Sequence, residues 1–165
     1  MAIQDVHILF GITIGLGATF IMDLWLFLRK QFFKIPSLDY CFLGRWLLHM
    51  PNGVFKHANI FTARPKNREC AVGRLAHYTI GAIFGVALVT LASPSWPQAP
   101  TILPPLLWGL ITVAAPFLLM QPAFGLGIAA SKAPNPMQAR LQSLLTHAVF
   151  GIGLYVCAWA LSRLR

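Results

Sequence analysis

The sequence is poor in charge, and poorest in acidic residues. Only 10% of its 165 residues are charged, and Asp and Glu number 4 against 13 Lys and Arg. Soluble domains carry roughly a quarter charged residues, so this chain lacks the polar surface that a water-exposed fold requires. Because 57% of the residues are hydrophobic and the mean hydropathy is +0.67, the main solvent of the fold must be lipid.

Cysteine is also scarce. Cys41, Cys70 and Cys157 have no paired spacing, and no CxxC metal motif is present. The first two fall in a segment that we place in the cytoplasm, where thiols stay reduced. The sequence therefore predicts no disulfide framework.

Targeting and catalytic motifs are missing as well. The N-terminus has no basic segment and the first hydrophobic stretch has no clear cleavage site, so we expect that stretch to remain in the mature protein. No supported Ser-His-Asp arrangement and no phosphate-binding loop is present. The sequence thus does not predict an enzyme.

Four hydrophobic stretches are long enough to cross a bilayer core, which takes roughly 20 helical residues. They lie at His7–Leu28, Leu75–Ala92, Leu103–Gln121 and Leu141–Ser162. We predict an all-α fold, with one integral membrane domain over residues 1–165 and a four-transmembrane-helix bundle. The alternative is a three-span protein in which the proline-containing third stretch does not cross.

Lys and Arg are distributed unevenly between these stretches. Nine lie in the predicted loop 29–74 and two between the third and fourth stretches, whereas the loop between the second and third has none and two follow the fourth. This bias predicts that both basic loops are cytoplasmic and both termini periplasmic. Cations placed between spans indicate contacts with anionic lipid headgroups rather than with nucleic acid.

The loop 29–74 contains a predicted helix over about residues 37–50. Ser37 after Pro36 is a typical N-cap, and Pro51-Asn52-Gly53 ends the segment. Its apolar residues recur at helical spacing, namely Leu38, Phe42, Leu43, Trp46, Leu47 and Met50. Such a helix can lie on the inner leaflet or pack under the bundle as a cap, and the pattern does not separate the two.

The two halves of the chain resemble each other faintly. The first stretch ends in Met22-Asp23 and the third in Met120-Gln121, while the second and fourth both carry His-x-x-x-Gly, at His77 and His147. This echo suggests two parallel helix-pair repeats. The glycine pairs Gly11-x-x-x-Gly15 and Gly81-x-x-x-Gly85 predict close helix approach, within the bundle or in a dimer.

Four polar residues define the candidate site. Asp23, His77, Gln121 and His147 fall one in each predicted span, in its cytoplasmic half; Asp23 lies about 9 Å along the helix from Arg29. An ionisable group at such depth costs several kcal/mol unless it faces a partner or water. We expect these residues to face one another, with His49 and His57 of the cytoplasmic loop as accessory residues.

Several roles are compatible with this cluster. It can bind or translocate a small solute, ion or proton, with Asp23 supplying charge, the histidines exchanging protons and Gln121 orienting the ligand. It can hold haem between His77 and His147, or a transition metal with Asp23 and a loop histidine. It can also be a purely structural hydrogen-bond cluster, in a scaffold that acts through its basic loop. A transporter of this size would need to form a homodimer, because four short helices enclose little volume.

The chain resembles a bacterial inner-membrane family catalogued as a domain of unknown function (two-nine-three-eight). The segments that carry the resemblance are Gly-Ala-Thr-Phe-Ile-Met-Asp (17–23), Gly-Arg-Trp-Leu-Leu-His-Met (44–50), Gly-Val-Phe-Lys-His (53–57), Met-Gln-Pro-Ala-Phe-Gly (120–125) and Ala-Ala-Ser-Lys-Ala-Pro-Asn-Pro (129–136). The resemblance implies a bacterial source, an inner-membrane location and a four-helix membrane fold. It implies no activity, substrate or cofactor.

Overall fold

The computed structural model describes residues 3–35 and 39–164, and this part of the chain is all-α, with no strand. Short 3-10 turns occur at Met50–Asn52 and Ile128–Ala130. The five helices are α1 (Ile3–Phe33), α2 (Tyr40–His49), α3 (Glu69–Leu91), α4 (Leu103–Ala123) and α5 (Pro136–Arg163).

Four of these helices, α1, α3, α4 and α5, are long and apolar enough to cross a membrane. The prediction of an all-α, four-span membrane protein is therefore confirmed. The helix starts differ from the predicted ones, because α3 begins at Glu69 rather than Leu75 and α5 at Pro136 rather than Leu141. In both cases polar first turns continue the helix beyond its apolar part, and the proline of α5 suits a first helical position.

Helix α4 is continuous but irregular. It begins as an α-helix over Leu103–Thr112 and passes through a π-helical turn over Pro116–Met120. Pro116 has no N–H to donate, so the regular hydrogen-bond ladder is interrupted there. The Pro116 carbonyl accepts the N–H of Gln121, five residues later, which is the hydrogen bond of a π-helical turn. Turns of this kind are frequent at functional sites.

The chain divides into two compact units. The bundle unit contains the described residues of 1–36, 78–112 and 145–165. The disulfide unit contains those of 37–77 and 113–144.

Close helix contact in the bundle unit depends on glycine. Gly11 and Gly15 of α1 lie against Gly85 and Gly81 of α3, where a Cβ on Gly15 would overlap the Gly81 carbonyl oxygen. The prediction of close approach at these two motifs is confirmed, and the contact lies within the chain. The same arrangement recurs between α4 and α5, where a Cβ on Gly109 would lie 2.7 Å from the Gly151 Cα.

Apolar side chains fill the centre of the bundle unit and also cover its outside. Ile14 and Leu154 are fully buried, with 0% of their surface exposed. Phe20 and Ile83, on spanning helices, are 60% and 58% exposed. Exposed large apolar side chains on membrane-spanning helices are the surface that contacts lipid.

The disulfide unit contains the bond that gives it its name, between Cys41 and Cys70. The prediction that these cysteines remain reduced, without a disulfide, is therefore wrong in this structure. The two thiols are 29 residues apart, and they meet because α2 packs on the first turns of α3. Gly44 lies against the Glu69 carbonyl and Gly73 against the Tyr40 carbonyl.

Helix α2 is the predicted amphipathic helix, but it begins later than expected. The prediction of Ser37 as N-cap is wrong, because the Asp39 carboxylate accepts the Cys41 N–H at 2.9 Å and caps the helix; Ser37 itself lies outside the described residues. Leu43 is buried, and the Trp46 ring meets that of Phe124 edge-on at 5.9 Å. The apolar face of α2 therefore packs on protein within the disulfide unit.

The glycine contact between α1 and α3 can be tested by enlarging Gly15. Gly15→Val should lower the free energy of unfolding by about 1–3 kcal/mol, because the added atoms overlap rigid backbone. The change is read as the midpoint of thermal unfolding in detergent. Thr13→Leu enlarges an exposed residue of the same helix and should leave the midpoint nearly unchanged. Equal midpoints for the two variants would contradict the contact.

Candidate functional site

The residues of the candidate site are distributed over the two units. Asp23 and His147 belong to the bundle unit. His77 and Gln121 belong to the disulfide unit, as do the accessory residues His49 and His57. Each of these residues therefore has its own local environment within its unit.

Asp23 is paired with a tyrosine that the sequence analysis did not single out. The Tyr78 hydroxyl of α3 hydrogen-bonds the Asp23 carboxylate of α1. Tyr78 precedes Gly81 by three residues and therefore lies near the face that α3 presents to α1. A neutral hydroxyl stabilises a carboxylate but does not cancel its charge. Asp23 is partly exposed.

His147 forms the second polar pair of the bundle unit, with Thr112 of α4. The Thr112 hydroxyl, 5% exposed as a residue, donates to the Gly109 carbonyl at 2.6 Å. Its oxygen also lies 2.9 Å from His147 Nδ1, so the two side chains share a hydrogen bond. The tautomer of the imidazole decides which of the two atoms is the donor.

Gln121 follows the π-helical turn and is 6% exposed. Its amide nitrogen donates to the Ser143 hydroxyl at 3.3 Å. Its Oε1 atom is buried and has no hydrogen-bond partner within the structure. A buried acceptor without a partner costs roughly 1–3 kcal/mol, so this oxygen is suited to receive a donor from a ligand or water.

His77, the last site residue, stacks on Tyr40. The two ring centroids are 4.0 Å apart and the ring planes are inclined by 22°. Tyr40 is the first residue of α2 and His77 lies two turns into α3. The histidine therefore helps to fix α2 on α3.

The accessory histidines lie together in the disulfide unit. His49 Nε2 is 2.9 Å from the Arg64 carbonyl oxygen, and the His49 and His57 rings meet edge-on with centroids 5.0 Å apart. His57 Nε2 is buried without a hydrogen-bond partner. Burial lowers the pKa of His57, and the nearby positive charges of His49 and Arg45 lower it further.

A buried ion pair, absent from the sequence analysis, holds the same unit together. Arg45 of α2 bonds both carboxylate oxygens of Glu69, with Nε–Oε2 at 2.9 Å and Nη2–Oε1 at 2.7 Å. Its Nη1 also donates to the carbonyls of Ile60 and Ala63, each at 3.2 Å. The hydrogen bond to Glu69 raises the pKa of Arg45. Arg45 is 8% exposed, and a buried pair of this kind is strongly destabilised when one partner is removed.

Over residues 3–35 and 39–164, no group of three or more His, Cys, Asp or Glu side chains could hold a metal ion. The metal interpretation, which combined Asp23 with histidines, has no such ligand group there. Of the two histidines in the haem interpretation, His77 has one ring face against Tyr40 and His147 Nδ1 is hydrogen-bonded to Thr112.

The lowered pKa of His57 predicts a pH dependence of stability. In the unfolded chain, His57 binds a proton near pH 6.5, whereas in the folded chain it binds the proton at lower pH. The free energy of unfolding is therefore unaffected by this group above about pH 6.5, and it falls as the pH drops below that value. Unfolding midpoints between pH 5 and 8 should show this fall, and His57→Gln should flatten it. His7→Gln removes a histidine from α1 as a control. A His57→Gln profile as steep as that of the unsubstituted chain would contradict the assignment.

Comparison with known proteins gives one match. The family model described as "Protein of unknown function (DUF2938)" matches residues 12–161. No curated protein and no solved structure matches the chain. Since the matched region covers most of the chain, this small multi-span membrane protein belongs to the DUF2938 family of unknown function.

Proposed function

We propose that this protein binds or translocates a proton or small cation through a polar site in the bundle unit, centred on Asp23. The observation that carries the proposal is the pairing of Asp23, a carboxylate on a spanning helix, with the hydroxyl of Tyr78. A carboxylate in a membrane helix is expensive and marks an ion or proton path by default.

The second polar pair supports the same function. His147 of α5 is hydrogen-bonded to Thr112 of α4, and an imidazole is the side chain best suited to repeated uptake and release of a proton. The pairs Asp23–Tyr78 and His147–Thr112 join α1 to α3 and α4 to α5, so all four spanning helices contribute to the polar groups of this unit. In the proposed roles, Asp23 supplies the negative charge and His147 exchanges protons.

Gln121 and His77 keep their predicted roles as expectations. The buried, unpartnered Oε1 of Gln121 is what a ligand-orienting amide requires. For His77, which stacks on Tyr40, the expected role is to exchange protons or to coordinate the ligand.

The proposal includes an orientation in a bacterial inner membrane. Eleven Lys and Arg in the loops that follow the first and third spans, against two beyond the fourth, favour cytoplasmic basic loops and periplasmic termini. Lys and Arg near the spans would contact anionic headgroups on that side. We further propose a homodimer as the transporting form, because four helices enclose little space.

Proton flux into liposomes tests the proposed site. The purified protein is reconstituted with a pH-sensitive dye inside the vesicles, and a potassium gradient with valinomycin supplies the driving force. Flux should be lost in Asp23→Asn and strongly reduced in Tyr78→Phe, because the first removes the charge and the second its hydrogen-bond donor. Uptake of radiolabelled sodium or rubidium into vesicles without valinomycin tests a metal cation as the transported ion.

Asp39→Asn is the matched control. It makes the same chemical change outside the spans, and asparagine also serves as an N-cap, so α2 should be retained. Flux should therefore be unchanged in this variant. Undiminished flux in a correctly folded Asp23→Asn protein would exclude Asp23 from the path.

A further inference from the structure

The Cys41–Cys70 disulfide joins the first turns of two helices. Cys41 is the second residue of α2 and Cys70 the second residue of α3, and both are partly exposed. Helix N-termini carry partial positive charge, which stabilises a nearby thiolate. A sulfur at such a position is therefore a good leaving group in thiol–disulfide exchange.

At Cys70 the neighbouring carboxylate does not cancel this effect. Glu69, beside Cys70, is bonded on both oxygens by Arg45, whereas Asp39, near Cys41, keeps its negative charge while it accepts the Cys41 N–H. Arg45 follows Cys41 by four residues, so its guanidinium lies on the same face of α2. The ion pair thus neutralises the carboxylate that would otherwise oppose a thiolate at Cys70.

The helix contact that carries the disulfide does not depend on it. Gly44 and Gly73 allow backbone contact between α2 and α3 one turn beyond the cysteines, and the bidentate Arg45–Glu69 pair links the same two helices. These contacts would keep the two sulfurs close together after reduction. Opening and closing of the bond therefore requires no large rearrangement of the unit.

The compartment expected for the Cys41–Cys70 disulfide is the cytoplasm, which argues against a purely structural bond. The stretch 29–74 carries nine Lys and Arg, which favour the cytoplasmic side. Disulfides in the cytosol are usually transient and serve catalysis or redox sensing. A disulfide in a basic, inward-facing segment is thus best explained as a reversible one.

We propose that Cys41 and Cys70 form a redox-active couple that exchanges with a cytoplasmic dithiol. A thiolate of that dithiol attacks one sulfur, forming a mixed disulfide and releasing the other cysteine as a thiolate, which takes up a proton. The second thiol of the reductant then resolves the mixed disulfide. In total the couple gains two electrons and two protons, and the external dithiol becomes a disulfide. This inference rests on the proposed orientation but not on the proposed cation site.

A thiol count under native conditions tests the couple. The full chain in detergent is equilibrated with mixtures of reduced and oxidised glutathione, quenched in acid, unfolded and alkylated with a mass tag. The oxidised chain should carry one tag, on Cys157, and the reduced chain three. The transition should be reversible in the folded protein. A count that stays at one until denaturant is added would identify a structural disulfide and overturn the proposal.

The compartment is tested with Cys157→Ser, in which only the couple can react. After mild reduction, a membrane-impermeant maleimide should label inverted vesicles and leave intact spheroplasts unlabelled. Labelling of spheroplasts would place the couple in an oxidising compartment and overturn the proposal. Asp23→Asn should titrate with glutathione like the unsubstituted chain, so failure of the cation site and failure of the redox couple are distinguishable.

Discussion

Backbone-to-backbone contact at glycines is the constraint on which the rest of this structure depends. Lipid supplies no hydrophobic drive between spanning helices, so their association relies on close packing and polar bonds. Several of the polar and cysteine side chains lie three or four residues from such a contact and therefore on or near the contact face of their helix. These are Cys41 with Gly44, Cys70 with Gly73, Tyr78 with Gly81, Thr112 with Gly109 and His147 with Gly151. The glycines bring the helices together, and the neighbouring polar groups then meet.

This dependence explains what the sequence could predict. Hydrophobic length identified four spans, and the glycine motifs of α1 and α3 predicted close helix approach without naming the partner helix, because both signals are local. Asp23 and His147 were recognisable as intramembrane polar groups for the same reason. The partner of Asp23 was not recognisable, since Tyr78 and His77 are adjacent in sequence and their side chains differ in direction by about 100° around α3. Which of the two faces α1 depends on the register of α3, and one sequence does not contain that information.

The disulfide unit contains features that the sequence did not predict. Cys41 and Cys70 are 29 residues apart with no metal or redox motif between them, and their compartment argued against a bond. Only the repeated spacing Cys-x-x-Gly in α2 and α3 could have indicated that both cysteines border a close contact. Two capping residues, Ser37 and Asp39, precede helix α2, so the choice of Asp39 required the structure. The basic charge of the stretch 29–74 favours the cytoplasmic side, where disulfides are usually transient. A reversible bond is compatible with both observations, and this is the basis of the redox proposal.

In the proposed path, Asp23 is an ionisable carboxyl group that is hydrogen-bonded by Tyr78. Infrared difference spectroscopy of the protein in lipid, recorded between acidic and alkaline pH, detects carboxyl groups that change protonation. We expect a carboxyl band that disappears in Asp23→Asn and shifts in frequency in Tyr78→Phe, because loss of the hydroxyl removes a hydrogen bond. A difference spectrum that is identical in all three proteins would contradict the proposed path.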